Sequence, residues 1–422
     1  PVKKPPELLT KDNPPKFFYG YVIVGLSLVS LLIFGGLLSS FGVFLKEIQN
    51  ETHWNRATIS GANALEFFLM GVFAIISGRL VDRYGPRLII SITGVIMGIG
   101  FILTSQVSQI WQFYLAYGVI VGIGLSSVEV TALSMTARWF TKNRGLATSI
   151  IKLGNGFGMF IFPLLSSWLI LLSNWRTAYI VLGTSGLLLM VSVAQFMKRD
   201  PSQIGQRPFG ADSVPSNGNS ASQAELTFRE SYHNGSFWLV CGIYFIAWYV
   251  TQTIVVHLAG YLQDNHMNIA QAASVVSTLG AVSIAGRLIM GFAGDRIGNR
   301  NALIICGAVL LVATVWLQFT QVTWRSYIFA IIGGFAHGGF FAVLSPLVAE
   351  LFGLKSHGSN LGLIIFIGYT GGAVGPVVAG RLYDMQNNYQ LTFYILLGVS
   401  ALCLLLTVLL KIKSKTPVGT VS

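Results

Sequence analysis

The sequence predicts an all-α membrane protein: twelve transmembrane helices in two pseudo-symmetric six-helix bundles. Three observations carry this prediction. Hydrophobic residues make up 53% of the 422 residues and charged residues only 10%, where soluble domains carry roughly 25% charge. Apolar runs long enough to cross a bilayer, about 20 residues each, recur along the chain. Two segments, Gly78–Arg87 and Gly291–Arg300, share the pattern G-x-x-x-D-R-x-G-x-R at an offset of 213 residues. The same offset pairs Gly145 with Gly358, Gly158 with Gly371, and Pro163 with Pro376. A constant offset of half the chain implies a duplicated helical unit, which in a chain this apolar is the mark of a secondary transporter.

The expected spans are 18–41, 57–78, 87–106, 112–136, 145–169 and 176–197, then 236–260, 270–293, 301–320, 326–349, 359–380 and 390–410. The first follows a polar, proline-containing segment that ends near Pro15. Lys46 and Arg56 separate it from the second, and the first loop copy separates the second from the third. Arg138, Lys142 and Arg144 lie between the fourth and fifth, and Arg176 opens the sixth. Residues 198–235 are rich in Ser, Asn, Gly and Pro and read as a flexible linker between bundles 1–197 and 236–422. In the second half the other loop copy, Arg325, Lys355 and Arg381 mark the corresponding breaks.

Positive charge orients the chain. With both termini cytoplasmic, 20 of the 27 Lys and Arg face the cytoplasm, among them Lys3, Lys4, Lys11, Lys16, Lys355, Lys411, Lys413 and Lys415. Five face outward (Lys46, Arg56, Arg176, Arg325 and Arg381), and Lys152 and Arg287 fall inside spans. A multi-pass protein of the cell (inner) membrane follows, and the confinement of the basic residues to short loops excludes a nucleic-acid partner. The cysteines Cys241, Cys306 and Cys403 lack metal-ligand spacing and read as small core residues. No H-E-x-x-H, G-x-S-x-G or phosphate-cradling loop points to an enzyme. A receptor on the same scaffold would bring a sizeable soluble domain, whereas the linker is about 38 residues by these boundaries.

The loop copies place Gly78, Asp82, Arg83, Gly85 and Arg87 beside Gly291, Asp295, Arg296, Gly298 and Arg300. Glycine serves the tight turn. Asp82 and Asp295 are expected to accept hydrogen bonds from a helix N-terminus across the contact between halves, and the arginines to pair with carboxylates or cap helix-end carbonyls. This is structural and gating work.

Both loops, the twelve spans and the central linker resemble the major facilitator superfamily over nearly the whole chain. Phe18-Tyr19-Gly20-Tyr21, Phe41-Gly42-Val43-Phe44 and Trp54-Asn55-Arg56-Ala57-Thr58-Ile59-Ser60 resemble its monocarboxylate transporter and oxalate:formate antiporter branch. Arg138-Trp139-Phe140, Arg144-Gly145-Leu146-Ala147 and Gly286-Arg287 fit the same branch.

Ionisable residues inside spans are candidates by default, because a charge in the bilayer is costly unless it is paired or hydrated. Arg287 lies in the eighth span, eight residues (about two turns) before Asp295. Its guanidinium fork matches a carboxylate bidentately. The resemblance implies that it binds the substrate carboxylate; the alternative is a fixed pair with Glu66 or Glu129. Lys152, about 10 Å into the fifth span, either snorkels to the membrane surface or adds a second positive charge to the cavity. Glu66 is a candidate proton carrier or the fixed partner of a cation. Glu129 is expected to pair with arginines of the first loop copy. His257 and His337 are both candidates for protonation near neutral pH, the alternative for each being a packed, hydrogen-bonded histidine; His257 is also a proton-coupling and gating candidate near the outer mouth, and His337 sits among glycines.

The resemblance further implies a rocker-switch transporter with spans 1, 4, 7 and 10 lining a central cavity. Tyr117, Asn155, Gln252, Ser283 and Tyr369 are candidate hydrogen-bonding partners of the substrate, and Leu38, Phe340 and Phe341 candidate apolar walls. The chain departs from the branch in three places. Ser283 stands where animal-type monocarboxylate transporters pair an aspartate with the arginine, Ser39 or Leu38 where they carry a lysine, and Gly368 where oxalate transporters carry one. One cation favours a monoanion; a cavity-facing Lys152 would admit a dicarboxylate. The expected activity is transport of lactate- or pyruvate-like monocarboxylates, coupled to protons and with no cofactor, by a monomer. The alternative is an oxalate:formate-type anion exchanger.

Overall fold

The computed structural model describes residues 17–142, 144–210, 227–353 and 356–410. Expectations for Lys3, Lys4, Lys11, Lys16, Lys355, Lys411, Lys413, Lys415 and the middle of the linker (211–226) fall outside the described residues. Among the described residues, twelve helices are long and apolar enough to cross a membrane. The first six are α1 (Gly20–Thr52), α2 (Arg56–Tyr84), α3 (Pro86–Thr104), α4 (Ile110–Trp139), α5 (Gly145–Leu172) and α6 (Trp175–Phe196). The second six are α7 (Gly235–Asp264), α8 (Ile269–Ile297), α9 (Asn299–Leu317), α10 (Thr323–Phe352), α11 (Gly358–Gln386) and α12 (Gln390–Leu409).

Several helices outrun the predicted spans. α1 continues to Thr52 because Phe44, Leu45 and Ile48 keep an apolar face buried, and it stops where His53 turns left-handed at φ 57°. Asparagines start others: Asn174 and Asn268 accept the backbone N–H of Thr177 and Gln271, each at 2.8 Å. α4 is not one continuous α-helix. It passes through a π-helical stretch, Tyr114–Val121, and is broken again at Ser126–Ser127. Such irregularities redirect the side chains that follow and cluster at functional sites.

The duplication is visible in atomic detail. Gly85 and Gly298 both take positive φ (88° and 85°) at the ends of α2 and α8. Their N–H groups donate to Val81 and Gly294 at 2.9 and 3.0 Å. Gly158 of α5 abuts the Leu32 carbonyl of α1, and Gly371 of α11 abuts the Phe245 carbonyl of α7. Both members of each contact are 213 positions from their counterparts, so the crossing itself is duplicated. Small residues let helix backbones approach in a membrane, where packing rather than hydrophobicity drives association. Gly158→Leu and Gly371→Leu are expected to cost about 1–3 kcal/mol or more through overpacking, lowering the melting temperature in detergent. Gly25→Leu, with no atom within 4 Å of a Cβ, serves as the control.

Within each half, α1 packs on α5 and α7 on α11; between halves, α2 packs on α11 and α5 on α8. The linker departs from its expected flexibility at its start. Pro201–Ile204 forms a 3-10 turn, Asp200 binds Arg138 at 3.1 Å, and Phe209 bridges to Phe140. Trp139 donates to the Lys198 carbonyl at 3.0 Å. The Arg138-Trp139-Phe140 motif thus anchors the linker to the first bundle.

The loop expectation needs one correction. Asp82 does not reach across to the other half; it accepts from Arg138, at the end of α4 in its own bundle, at 2.7 Å. Arg87 donates to Gln195 at 2.9 Å, and Arg300 caps the carbonyls of Val408 (2.7 Å) and Leu410 at the end of α12.

Candidate functional site

A cavity enclosing about 830 Å³ of space, part of it open to solvent, lies between the bundles. Arg287, Lys152, Asn155, Gln252, Tyr369 and Leu38 line it, as do Glu129, His337, Ser39 and Phe341. Aromatic and aliphatic walls come from Phe34, Phe67, Met159, Trp248, Val255, Leu344 and Ile365.

Arg287 is 7% exposed. Its Nη1 donates to Ser283 Oγ at 2.8 Å, and Ser283 donates onward to the Gly280 carbonyl at 2.7 Å. Ser283 therefore does not line the cavity; one turn before Arg287, it steers the guanidinium. Gly156 of α5 faces the same group, and a Cβ there would stand 2.6 Å from Nη1. Among the described residues no carboxylate lies within ion-pair distance of Arg287. The fixed pairing with Glu66 or Glu129 that the sequence left open is not formed. The fork is held in place with its charge uncompensated by direct contact.

Lys152 points into the cavity rather than to the membrane surface, with Nζ 4.0 Å from Glu129 Oε1. Tyr369 of α11 donates to the other oxygen of Glu129 at 2.8 Å. Glu129 is thus not the partner of the loop arginines. It follows the π-helical stretch and the Ser126–Ser127 break of α4, which turn it inward. Three polar atoms on the wall, Asn155 Oδ1, Gln252 Nε2 and His337 Nδ1, are buried without a hydrogen-bond partner. Buried polar atoms are normally satisfied, so these three are open to a further hydrogen-bond partner.

Other predicted site residues sit elsewhere. Tyr117 is buried inside the first bundle against Phe41 and Phe113, at ring distances of 4.9 and 5.6 Å, and does not reach the cavity. Phe340 is wholly buried in the second bundle, where Tyr244 donates to its carbonyl at 2.6 Å; its neighbour Phe341 supplies the wall instead. Glu66 is 0% exposed and accepts from Asn63 at 2.8 Å on the side of α2 turned to α4, away from the cavity.

His257 belongs to a second polar cluster, on the membrane face opposite the linker, where the two halves are latched. Arg56, 1% exposed, binds Asp264 at 2.8 Å, Tyr389 at 2.6 Å and Gln49 at 2.9 Å. Its guanidinium stacks 3.8 Å from the ring centroid of Tyr383. Asp384 accepts the backbone N–H groups of Arg56 and Ala57 at 3.0 and 2.8 Å, an anion on the N-terminus of α2. Lys46 also binds Asp264, at 2.9 Å. His257 meets Tyr389 and the Pro376 carbonyl, both at 2.8 Å, and Ser60 at 3.3 Å. Tyr389 lies in the loop between α11 and α12, and burial pushes its hydroxyl above the usual tyrosine range, so it stays protonated. Sequence reasoning missed this cluster. Asp264, Asp384 and Tyr389 lie more than 200 residues from Arg56, and nothing local announces the contact.

The chain resembles known proteins over most of its length. Rat monocarboxylate transporter 13 is 24% identical over 403 residues, covering 92% of this chain and 88% of the relative. Human monocarboxylate transporter 1 is 24% identical over 418 residues, covering 90% and 83%. An uncharacterized MFS-type transporter of Escherichia coli, YhjX, is 25% identical over 308 residues, covering 72% and 74%. A solved bacterial homolog of the human lysosomal transporter Spinster, in an inward-facing and occupied conformation, superposes with a TM-score of 0.70 at 18% identity, covering 94% of this chain and 95% of that one. The model of the Major Facilitator Superfamily matches residues 26–264 and 240–421. With the fold and the duplicated loops, this establishes that the chain belongs to the major facilitator superfamily.

Proposed function

We propose that this protein carries small monocarboxylates of the lactate or pyruvate type by alternating access, together with a proton. The observation that carries the reading is Arg287. A guanidinium held by Ser283, facing a chamber shared by both bundles and with no carboxylate partner among the described residues, is a receptor for one. The relatives named monocarboxylate transporters support the same cargo. The apolar wall of Leu38, Phe341 and Trp248 suits a short alkyl or hydroxyalkyl chain. The unpaired Gln252 Nε2 can donate to a carboxylate, and the unpaired Asn155 Oδ1 can accept from a substrate hydroxyl.

The bundles 1–197 and 236–422 would rock about the linker, with the linker face cytoplasmic in the cell membrane and the Arg56 latch closing the outer mouth. A single chain contains the whole cavity, which supports function as a monomer. Glu66 and His257, the carriers suggested by sequence, lie off the cavity. His337 lines it with an unpaired ring nitrogen, and we assign the coupling proton to it. A proton taken up there with a monoanion leaves the loaded and empty cavities with equal charge.

Uptake of radiolabelled lactate into proteoliposomes tests the proposal. A gradient acidic outside should drive accumulation, and His337→Gln should reduce that accumulation by about tenfold while sparing lactate–lactate exchange. Uptake that needs an internal anion and ignores the proton gradient supports anion exchange instead.

A further inference from the structure

We propose that Glu129 sets the charge of the cargo: it cancels Lys152, so that among the described residues the cavity presents one free cation, and it rejects dicarboxylates. The inference rests on the reading of this cavity as a carboxylate site.

Two cations, Arg287 and Lys152, line the chamber, and two cations alone would suit a dianion. They are not equivalent. Arg287 has a neutral partner, Ser283, and meets no carboxylate among the described residues. Lys152 has Glu129 at 4.0 Å. Glu129 cannot easily swing away, because the Tyr369 hydroxyl, reaching from the other bundle, holds its second oxygen at 2.8 Å. The Glu129 and Lys152 side chains are 18% and 15% exposed, so bulk water screens them little.

A monocarboxylate can take the Arg287 fork and leave this pair intact. The second carboxylate of a dianion would be drawn to Lys152 and would meet Glu129 there, a like charge close by in a poorly screened site. Rejecting the wrong ligand through a repulsive group already in place is how sites discriminate between ligands of similar size. Glu129 is thus a specificity determinant rather than a substrate contact, and the lysine acts as its counter-ion.

The test is equilibrium binding of L-lactate and malonate to detergent-purified full-length protein. The variants are Glu129→Gln, Lys152→Gln and the double substitution. Wild type is expected to prefer lactate. Glu129→Gln should shift the malonate-to-lactate affinity ratio toward malonate by about tenfold or more. Lys152→Gln leaves Glu129 against Arg287 with no second cation and should weaken lactate binding by about tenfold or more. The double variant restores one net positive charge and should return to lactate preference, a recovery that a purely structural role would not produce. An unchanged ratio in Glu129→Gln, or a double variant that fails to recover, overturns the proposal. If Glu129→Gln does not fold, Lys152→Gln decides: retained lactate affinity overturns it. Wild type that binds neither acid removes the carboxylate reading itself, and this inference with it. Wild type that binds lactate beside an unshifted Glu129→Gln removes only the inference.

Discussion

Arg287→Ala is expected to abolish lactate uptake in proteoliposomes while leaving folded yield and melting temperature near wild type. A charge-assisted hydrogen bond is worth about 1.5–3 kcal/mol, or roughly 10- to 150-fold in affinity. A bidentate carboxylate makes two such bonds to one guanidinium. Removing the fork also leaves the anion without a cation to offset its desolvation beside Glu129, so a loss of at least about 100-fold follows. Folding is spared because Arg287 has no ion pair to lose among the described residues: its side chain bonds to Ser283, which keeps its own bond to Gly280. Arg287→Lys keeps the charge without the planar fork and should retain weak binding, about tenfold or more below wild type. Uptake that persists in the alanine variant would remove Arg287 from the substrate site.

Arg56→Ala should act on conformation rather than on cargo. Arg56 is buried where the halves meet, bonded to Asp264 and Tyr389 and stacked on Tyr383. Breaking a buried pair by removing one partner costs about 3–5 kcal/mol. Here part of that cost falls on the latched state alone, because the bonds from Arg56 to Asp264, Tyr389 and Tyr383 join one half to the other. Each 1.4 kcal/mol taken from the latched state raises the population open toward that face by about tenfold. A cysteine placed at Met159, on the cavity wall, reports the change. Its labelling by a membrane-impermeant maleimide added on the face opposite the linker should accelerate at least tenfold over the same cysteine with Arg56 intact. The native cysteines Cys241, Cys306 and Cys403 are all buried and give little background. An unchanged labelling rate would mean that the Arg56 cluster does not hold the bundles together.

The fold was legible because its determinants are local or periodic. Apolar runs gave the helices, and the loop glycines Gly85 and Gly298 gave the duplication. Arg287 was legible for a related reason: a charge inside an apolar run is conspicuous wherever the helix turns. Direction was harder to read. Tyr117 and Glu66 lie in spans that border the cavity, yet both face inward to their own bundle, since the face a residue presents depends on packing partners far away in sequence. Phe340 and Phe341 are adjacent, and only one of them lines the chamber. Glu129 was expected to pair with the arginines of the first loop copy. Its actual partners, Lys152 of α5 and Tyr369 of α11, come from other helices and leave no trace beside it in sequence. Contacts such as Arg56 with Asp264 join distant segments and leave no local trace.

The most direct test of carboxylate anchoring at Arg287 is a crystal structure with 3-bromopropionate, located by the anomalous signal of its bromine. The expected result is one bromine peak against the apolar wall near Leu38 and Phe341, with carboxylate density bridging the two terminal nitrogens of Arg287 and the Lys152–Glu129 pair undisturbed. A cavity without a peak at saturating ligand, or a carboxylate seated on Lys152 with Arg287 untouched, would contradict it.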